Sequence, residues 1–187
     1  MNLAALKPDQ EIATTELGRF LVLFDRLVSE TELWMANTPP EKLDWVPIDT
    51  PQVRFGDRLT KVTIKSLYVH MAVAEHKWSY DLSVCADGET LQLPRDPKLA
   101  ERATEGDFMV NAQEMHRKNM GILSAIPEEQ LAKRMVFAGD DSEWTVMGFL
   151  WGMWGHRAYH LGNLDIYLRQ SDSTTPDFFS FNPKKMA

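Results

Sequence analysis

Residues 145–169 read TVMGFLWGMWGHRAYHLGNLDIYLR, and this stretch decides the fold. Its first half is apolar on nearly every side, and polar residues become frequent in its second half. A segment of this length with helical spacing predicts a long helix at the centre of a helical bundle. The most apolar part, residues 146–155, is only about half as long as a helix that crosses a bilayer, so we expect a buried helix and no membrane partner.

Three further segments predict the other helices of a four-helix bundle. Helix one places apolar residues at helical spacing along residues 17–28 and ends before Pro39, and helix two covers residues 62–84. Helix three begins near Thr104, where Thr104 and Asp107 are typical of a capping arrangement, and Pro127 ends it. The apolar positions that we expect to face the core are Leu17, Phe20, Leu21, Phe24, Leu27 and Val28 in helix one, Leu67, Met71, Ala74, Trp78 and Leu82 in helix two, and Phe108, Ala112, Met115, Ile122 and Ile126 in helix three.

The segments between these helices predict connections of different kinds. Residues 39–59 contain four prolines and predict an ordered connection held by Leu43, Trp45 and Phe55. The polar stretch 85–103 predicts a long connection between helices two and three, which permits a crossover in the bundle. Residues 135–144, MVFAGDDSEW, contain a turn signal and predict either a short hairpin or an extended segment that leads into helix four.

Composition limits the class of protein. The chain has 187 residues, of which 44% are hydrophobic, so we expect one domain over residues 1–187 with a tail at 171–187. It has 27 acidic and 20 basic residues and no basic patch, which argues against a nucleic-acid partner. A single cysteine, Cys85, cannot form an intramolecular disulfide, and residues 1–19 lack an export signal, so we expect a cytoplasmic location.

Two features favour a homodimer. Helix four contains four glycines, each of which costs about 1 kcal/mol relative to alanine, so we expect a neighbouring backbone to pack closely there, at a helix or subunit contact. The tail carries Phe178, Phe179 and Phe181, which is too aromatic for a solvated end. It should therefore pack on the body of the protein or on a second subunit.

Three histidines are the candidate metal ligands. His156 and His160 are four residues apart, so a helix places both imidazoles on one face, about one turn apart. His70 lies beside Leu67 and Met71, at the edge of the apolar face of helix two. Three imidazoles that point into the bundle could share one divalent cation, and zinc would keep a fourth position for water or substrate. Nickel, cobalt or iron would fit the same ligands.

A simpler interpretation applies to each histidine, because a single buried histidine more often hydrogen-bonds to a backbone carbonyl. The chain has two other histidines. His76 is predicted to lie on the side of helix two opposite to the core. His116 could approach the cavity of the bundle, although an interface is the stronger expectation.

Two helices and one connection resemble the DinB/YfiT-like family, a superfamily whose members are regarded as metalloenzymes. The segments are LYVHMAVAEHKW at 67–78, HRAYHLGNLDIYLR at 156–169 and EKLDWVPI at 41–48. The family pattern has a histidine followed five residues later by a glutamate, and then two histidines four apart before a glycine and a Tyr-Leu-Arg ending. The positions that match are His70, Glu75, His156, His160, Gly162, Tyr167, Leu168 and Arg169. The sequence departs from the pattern at Tyr159, Leu161 and Asn163, which flank the site and put the substrate in doubt.

The resemblance implies an all-α four-helix bundle with one divalent metal ion, zinc or nickel, at the three histidines. Family members include thiol-dependent S-transferases and a mycothiol-dependent isomerase, which implies a low-molecular-weight thiol and a small electrophilic substrate. Arg157 and Tyr159 lie beside the ligands and could bind an anionic group, unless Arg157 pairs with a carboxylate in the bundle. Glu75 could act as a base or orient a ligand, and its alternative role is a surface or interface salt bridge.

Two other functions fit the sequence beside the thiol transferase, and two other kinds of metal site do not. A metal-activated water for hydrolysis fits the same residues, and so does a non-enzymatic metal or ligand binder that acts as a stress-response bundle. A di-iron site is disfavoured because neither signature helix contains a Glu-x-x-His motif, and a zincin is excluded because the chain has no His-Glu-x-x-His.

Overall fold

Four long helices form the body of the protein in the computed structural model, which describes residues 15–46, 61–171 and 173. The elements in chain order are α1 (Glu16–Ala36), a 3-10 turn (Pro40–Lys42), α2 (Ile64–Val84), β1 (Glu89–Leu91), α3 (Pro97–Thr104), α4 (Phe108–Ser124), α5 (Glu128–Leu131), β2 (Arg134–Phe137), β3 (Ser142–Thr145) and α6 (Val146–Gln170). The long helices α1, α2, α4 and α6 are the four that the sequence predicts. The predicted four-helix-bundle class is therefore confirmed.

Polar caps begin each long helix, because the first backbone N–H groups of a helix have no partner within it. The hydroxyls of Thr15 and Thr145 accept hydrogen bonds from Gly18 and Gly148 and begin α1 and α6. Thr63 caps α2, and the carboxylate of Asp107 caps α4. Thr104 is not part of that cap, since it is the last residue of the separate helix α3.

The apolar positions predicted from helical spacing form the core. Every predicted core residue of α2 is buried, and so are Phe20, Phe24, Leu27 and Val28 of α1, whereas Leu17 and Leu21 are only half-buried. In the third predicted helix, Met115 and Ile122 are only half-buried, whereas Leu123 is fully buried. The core forms two apolar clusters, and α6 contributes to both of them. Between those contributions, which end at Met153 and resume at Leu161, the helix carries His156, Arg157 and His160.

The connection from α2 to α4 contains more structure than the sequence predicted. It was expected to be a long polar connection, but it contains β1 and the eight-residue helix α3. β1 pairs in parallel with β2, and β2 pairs antiparallel with β3, so the predicted hairpin is confirmed and extended to three strands. The sheet lies at the side of the bundle, next to the start of α6.

At the glycines of α6, an added Cβ would meet side chains or open space rather than a neighbouring backbone among the described residues. An added Cβ at Gly152 would meet the ring of Trp144, and at Gly148 it would meet side-chain atoms of Thr145 and Trp144. Gly155 and Gly162 would meet nothing within 4 Å in the part of the chain that is described. Among the described residues, no neighbouring backbone therefore provides the close packing predicted at these glycines, and a subunit contact there stays a prediction.

Some predictions fall outside the described residues. These concern Phe55 in the second connection, together with Phe178, Phe179 and Phe181 in the tail. Within the described ranges, no helix combines the length and the apolar character that a bilayer crossing requires.

Candidate metal centre

Two neighbouring helices carry the three candidate ligands. α2 provides His70, and α6 provides His156 and His160 one turn apart. The helices run antiparallel, since His70 faces His160 near one end of the contact and Trp78 faces Phe149 at the other. The site therefore depends on how α2 and α6 pack rather than on a loop.

The imidazole nitrogens of the three histidines converge. Nε2 of His156 lies 3.2 Å from Nε2 of His70 and 3.1 Å from Nε2 of His160. One ligand nitrogen from each residue can be chosen so that all lie within 4.8 Å of one another. Two nitrogens bound about 2.1 Å from one tetrahedral zinc ion would lie roughly 3.4 Å apart, so the spacing is close to that of a shared metal ion.

Hydrogen bonding alone does not satisfy this arrangement well. A neutral imidazole has one donor nitrogen and one acceptor nitrogen, so Nε2 of His156 either donates one proton or accepts one. It has two Nε2 neighbours at hydrogen-bond distance, and its own Nδ1 is buried with no hydrogen-bond partner in the described residues. A single cation would accept the lone pairs of all three rings at once. The three histidines could therefore hold a metal ion.

Burial keeps these histidines neutral, which is the form that binds metal. Loss of solvent lowers the pKa of His70 to about 4. The same effect, together with the charge of His70 and of Arg157, lowers the pKa of His160 to about 4. Burial and the two neighbouring histidines lower the pKa of His156 to about 2. At neutral pH, three lone pairs are available with no proton to displace.

Aromatic packing fixes the central ligand. The indole of Trp78 meets the ring of His156 edge to face, with 5.1 Å between the ring centroids. Trp78 is itself buried and packs on Phe149. The sequence analysis placed Trp78 only in the core, but it also forms a wall of the histidine cluster.

A buried ion pair lies beside the cluster. The Arg157 Nε and Nη2 donate to the two carboxylate oxygens of Glu75 at 2.7 and 2.6 Å. Glu75 is 1% exposed and Arg157 is 2% exposed, so the salt bridge is in the interior rather than on the surface. Of the two roles considered for Arg157, the structure places it in a pair with a carboxylate of the bundle.

Tyr159 occupies the solvent side of the site. Its side chain is 69% exposed, and its ring centroid lies 5.2 Å from that of His160. It is therefore next to a candidate ligand without being buried with it. A cavity of about 460 Å³ lies elsewhere, between the start of α1, α5 and the start of α6, and none of the three histidines lines it.

The other two histidines have oxygen partners within the chain. His76 was predicted to face away from the core, but it is half-buried and its Nδ1 lies 2.7 Å from Oδ1 of Asn119, a buried residue of α4. His116 was expected at an interface. Its Nε2 lies 2.8 Å from a carboxylate oxygen of Asp25, so it joins α4 to α1 within the same chain. Neither histidine belongs to the cluster.

The comparisons with known proteins concern the fold. No family model matches the sequence, and no curated protein matches it. Among solved structures, a DinB-like protein, YjoA from Bacillus subtilis, is 19% identical with a TM-score of 0.63, over 86% of this chain and 96% of that chain. YfiT from the same organism is 12% identical with a TM-score of 0.63, over 92% of this chain and 97% of that chain.

YfiT is described as a probable metal-dependent hydrolase with an unusual four-helix bundle topology. At these identities the likeness establishes the fold, and the activity named for YfiT remains a property of that protein. The present chain therefore shares the fold of these two proteins.

Proposed function

We propose that the protein is a metal-dependent transferase that joins a small thiol to a small electrophile at the three-histidine site. The observation that carries this proposal is the convergence of the Nε2 atoms of His70, His156 and His160, with contacts of 3.1 and 3.2 Å. A divalent ion bound there, zinc or nickel, would act as a Lewis acid that lowers the pKa of the molecule in its open position.

A thiol is preferred to water as the nucleophile, because Glu75 is not free to act as a base. A water molecule begins with a pKa of 15.7 and a thiol with about 8.5, so a thiol requires much less help to ionise. Glu75 is the carboxylate that the sequence offered as a base, but Arg157 occupies both of its oxygens. A nucleophile that ionises without a protein base fits this site better.

The proposed reaction is a substitution. The thiol S–H bond ionises and its proton passes to solvent, the sulfur forms a bond to the electrophilic carbon, and the leaving group departs with its electron pair. Tyr159 is proposed to contact the substrate, because its exposed ring lies beside His160. A Tyr159→Phe change should preserve this contact, whereas Tyr159→Ala should raise KM more than it lowers kcat.

Metal content is the first test. The protein purified without chelator should carry close to one zinc or nickel ion per chain, and His156→Ala should carry almost none while remaining folded by circular dichroism. His76→Gln is the matched control, since His76 also lies on α2 but bonds to Asn119. A wild-type protein with less than about 0.2 metal per chain and no stabilisation by added zinc or nickel would refute the site.

Activity is the second test. A panel of low-molecular-weight thiols should be assayed with monochlorobimane, where chloride is the leaving group, in the presence of each metal and of a chelator. Metal-dependent conjugation that His156→Ala abolishes would support the transferase. A loaded protein that conjugates no thiol would contradict it.

Hydrolysis is the second candidate, and the description of YfiT as a probable metal-dependent hydrolase favours it. Ester and amide substrates should therefore be run beside the thiol panel with the same variants. Metal-dependent cleavage without thiol conjugation would select this candidate. Metal binding with neither activity would select the non-enzymatic binder, and light scattering of the same samples tests the predicted homodimer.

A further inference from the structure

The ion pair of Glu75 and Arg157 joins the same two helices that carry the histidines. Glu75 is on α2, five residues after His70, and Arg157 on α6 directly follows His156. Both side chains are at most 2% exposed, and two hydrogen bonds hold them in a fixed fork-to-fork geometry. Any movement of α2 along α6 would therefore disturb the pair and the metal site together.

Stability alone is a weak reason for this pair. Two buried charges lose their hydration, and apolar replacements of similar volume are often as stable or more stable. The Arg157 Nη1 is also buried with no hydrogen-bond partner among the described residues, which adds a further cost. A pair that costs this much within a bundle calls for another role.

The charge of Arg157 reaches the histidine cluster. Arg157 directly follows His156 on α6, and its guanidinium is buried with Glu75 in the same contact between α2 and α6 that holds the histidines, so a positive charge at those rings would feel its repulsion. A divalent cation would feel the same repulsion at twice the charge. Because three neutral imidazoles contribute no negative charge, the ligands themselves do not offset it.

The groups that face Arg157 come from two helices. Glu75 holds it directly, and the side chains of Glu32 on α1 and Tyr68 on α2 lie close enough to affect its ionisation. Burial raises the pKa of Glu32, which makes that carboxyl a poorer source of negative charge. Burial lowers the pKa of Arg157, but Glu75 outweighs this effect, so the arginine stays charged. Glu75 is therefore the main counter-charge.

We propose that Glu75 is a positioning residue for the metal site, which holds Arg157 in place and cancels its charge so that three neutral histidines can retain a divalent cation. The inference rests on the proposed metal site and deepens it. In this role Glu75 balances the charge beside the ligands, and it is neither a fourth ligand nor a catalytic base.

The test compares zinc and nickel affinities of four proteins, measured by competition with a chromophoric chelator. Glu75→Gln keeps the shape of the side chain but leaves Arg157 without its counter-charge, so affinity should fall by at least about tenfold. Arg157→Met removes the cation and should bind metal within about threefold of the wild type or more tightly. The double variant Glu75→Gln with Arg157→Met has neither charge and should recover wild-type affinity.

Urea unfolding of the metal-free proteins separates charge from structure. Both single variants leave one buried group unpaired and should be destabilised, so a pair with only a structural role would weaken metal binding in both. Equal losses of affinity in the two single variants, or weak binding by the double variant, would overturn the inference. If Glu75→Gln does not fold, the double variant still decides, because the charge argument requires it to bind as the wild type does.

The two proposals fail in different ways. A wild-type protein that binds neither metal would refute the metal site itself. If the wild type binds metal and Glu75→Gln binds it equally tightly, only the role given to Glu75 is refuted.

Discussion

The five histidines of the chain fall into two groups that the structure treats differently. His76 and His116 each have an oxygen atom within 2.8 Å, from Asn119 and Asp25. The other three have the nitrogens of one another as neighbours. An imidazole that faces an oxygen acceptor is satisfied by donating its own N–H, whereas three converging imidazoles could share one cation. The kind of partner, rather than burial alone, distinguishes a structural histidine from a candidate ligand.

Replacing the histidines one at a time should give the largest difference between the groups. Alanine at position 70, 156 or 160 removes one of three ligands, so affinity for zinc or nickel should fall at least about a hundredfold. His76→Gln and His116→Gln should bind within about threefold of the wild type. The measurement is a metal titration against a competing chelator, and an equal loss in His76→Gln would mean that the cluster has been assigned wrongly.

Metal should stabilise the fold only while the cluster of His70, His156 and His160 is intact. At a free metal concentration about one hundred times Kd, binding adds about 2.7 kcal/mol, which raises Tm by roughly 5–10 °C for a chain of this size. Differential scanning fluorimetry with zinc, nickel or chelator should show this shift in the wild type and in His116→Gln. A shift of the same size in His160→Ala would break the comparison.

The metal-free protein should lose stability as the pH falls from about 7 toward 4. The folded-state pKa values of His70 and His160 are lowered to about 4, so in this window the unfolded chain binds more protons than the folded chain. Protonation therefore favours unfolding, and the free energy of unfolding should decrease with falling pH.

Urea unfolding at pH 7.5 and 5.5 in the presence of chelator measures this dependence. His70→Gln removes one of the titrating groups and should flatten the profile. A profile of the wild type that does not change between these pH values would contradict the prediction.

The sequence predicted the helices that carry the site because their signals are local. The four-residue spacing of His156 and His160 and the apolar face around His70 are visible within single helices. The helix α3 also had a local signal, Asp96 as cap before Pro97, but its polar composition led to the prediction of a connection. β1 has only three residues and is defined by pairing with β2 more than forty positions later, which no local pattern contains.

The partners of Glu75 and His76 could not be predicted for a different reason. The sequence predicts that both side chains lie away from the core, because both point away from one apolar face of α2. That helix is buried on several sides, since it contacts α4 and α6 and also includes buried residues such as Val69 and Val73. A polar residue away from the first face therefore meets another helix, Glu75 meeting α6 and His76 meeting α4.

The smallest effect is expected at the contact between His116 and Asp25, outside the three-histidine cluster. Asp25→Asn should weaken the contact with His116 and lower the free energy of unfolding by about 0.5–1 kcal/mol, because the carboxylate is 38% exposed and water screens it. Metal affinity should stay within about twofold, since neither residue lies in the cluster. Urea unfolding and metal titration of the same sample measure both quantities. If Asp25→Asn weakened metal binding as strongly as a ligand change, the two groups of histidines would be coupled through α1 and α4, and the separation between structural and ligand histidines would not hold.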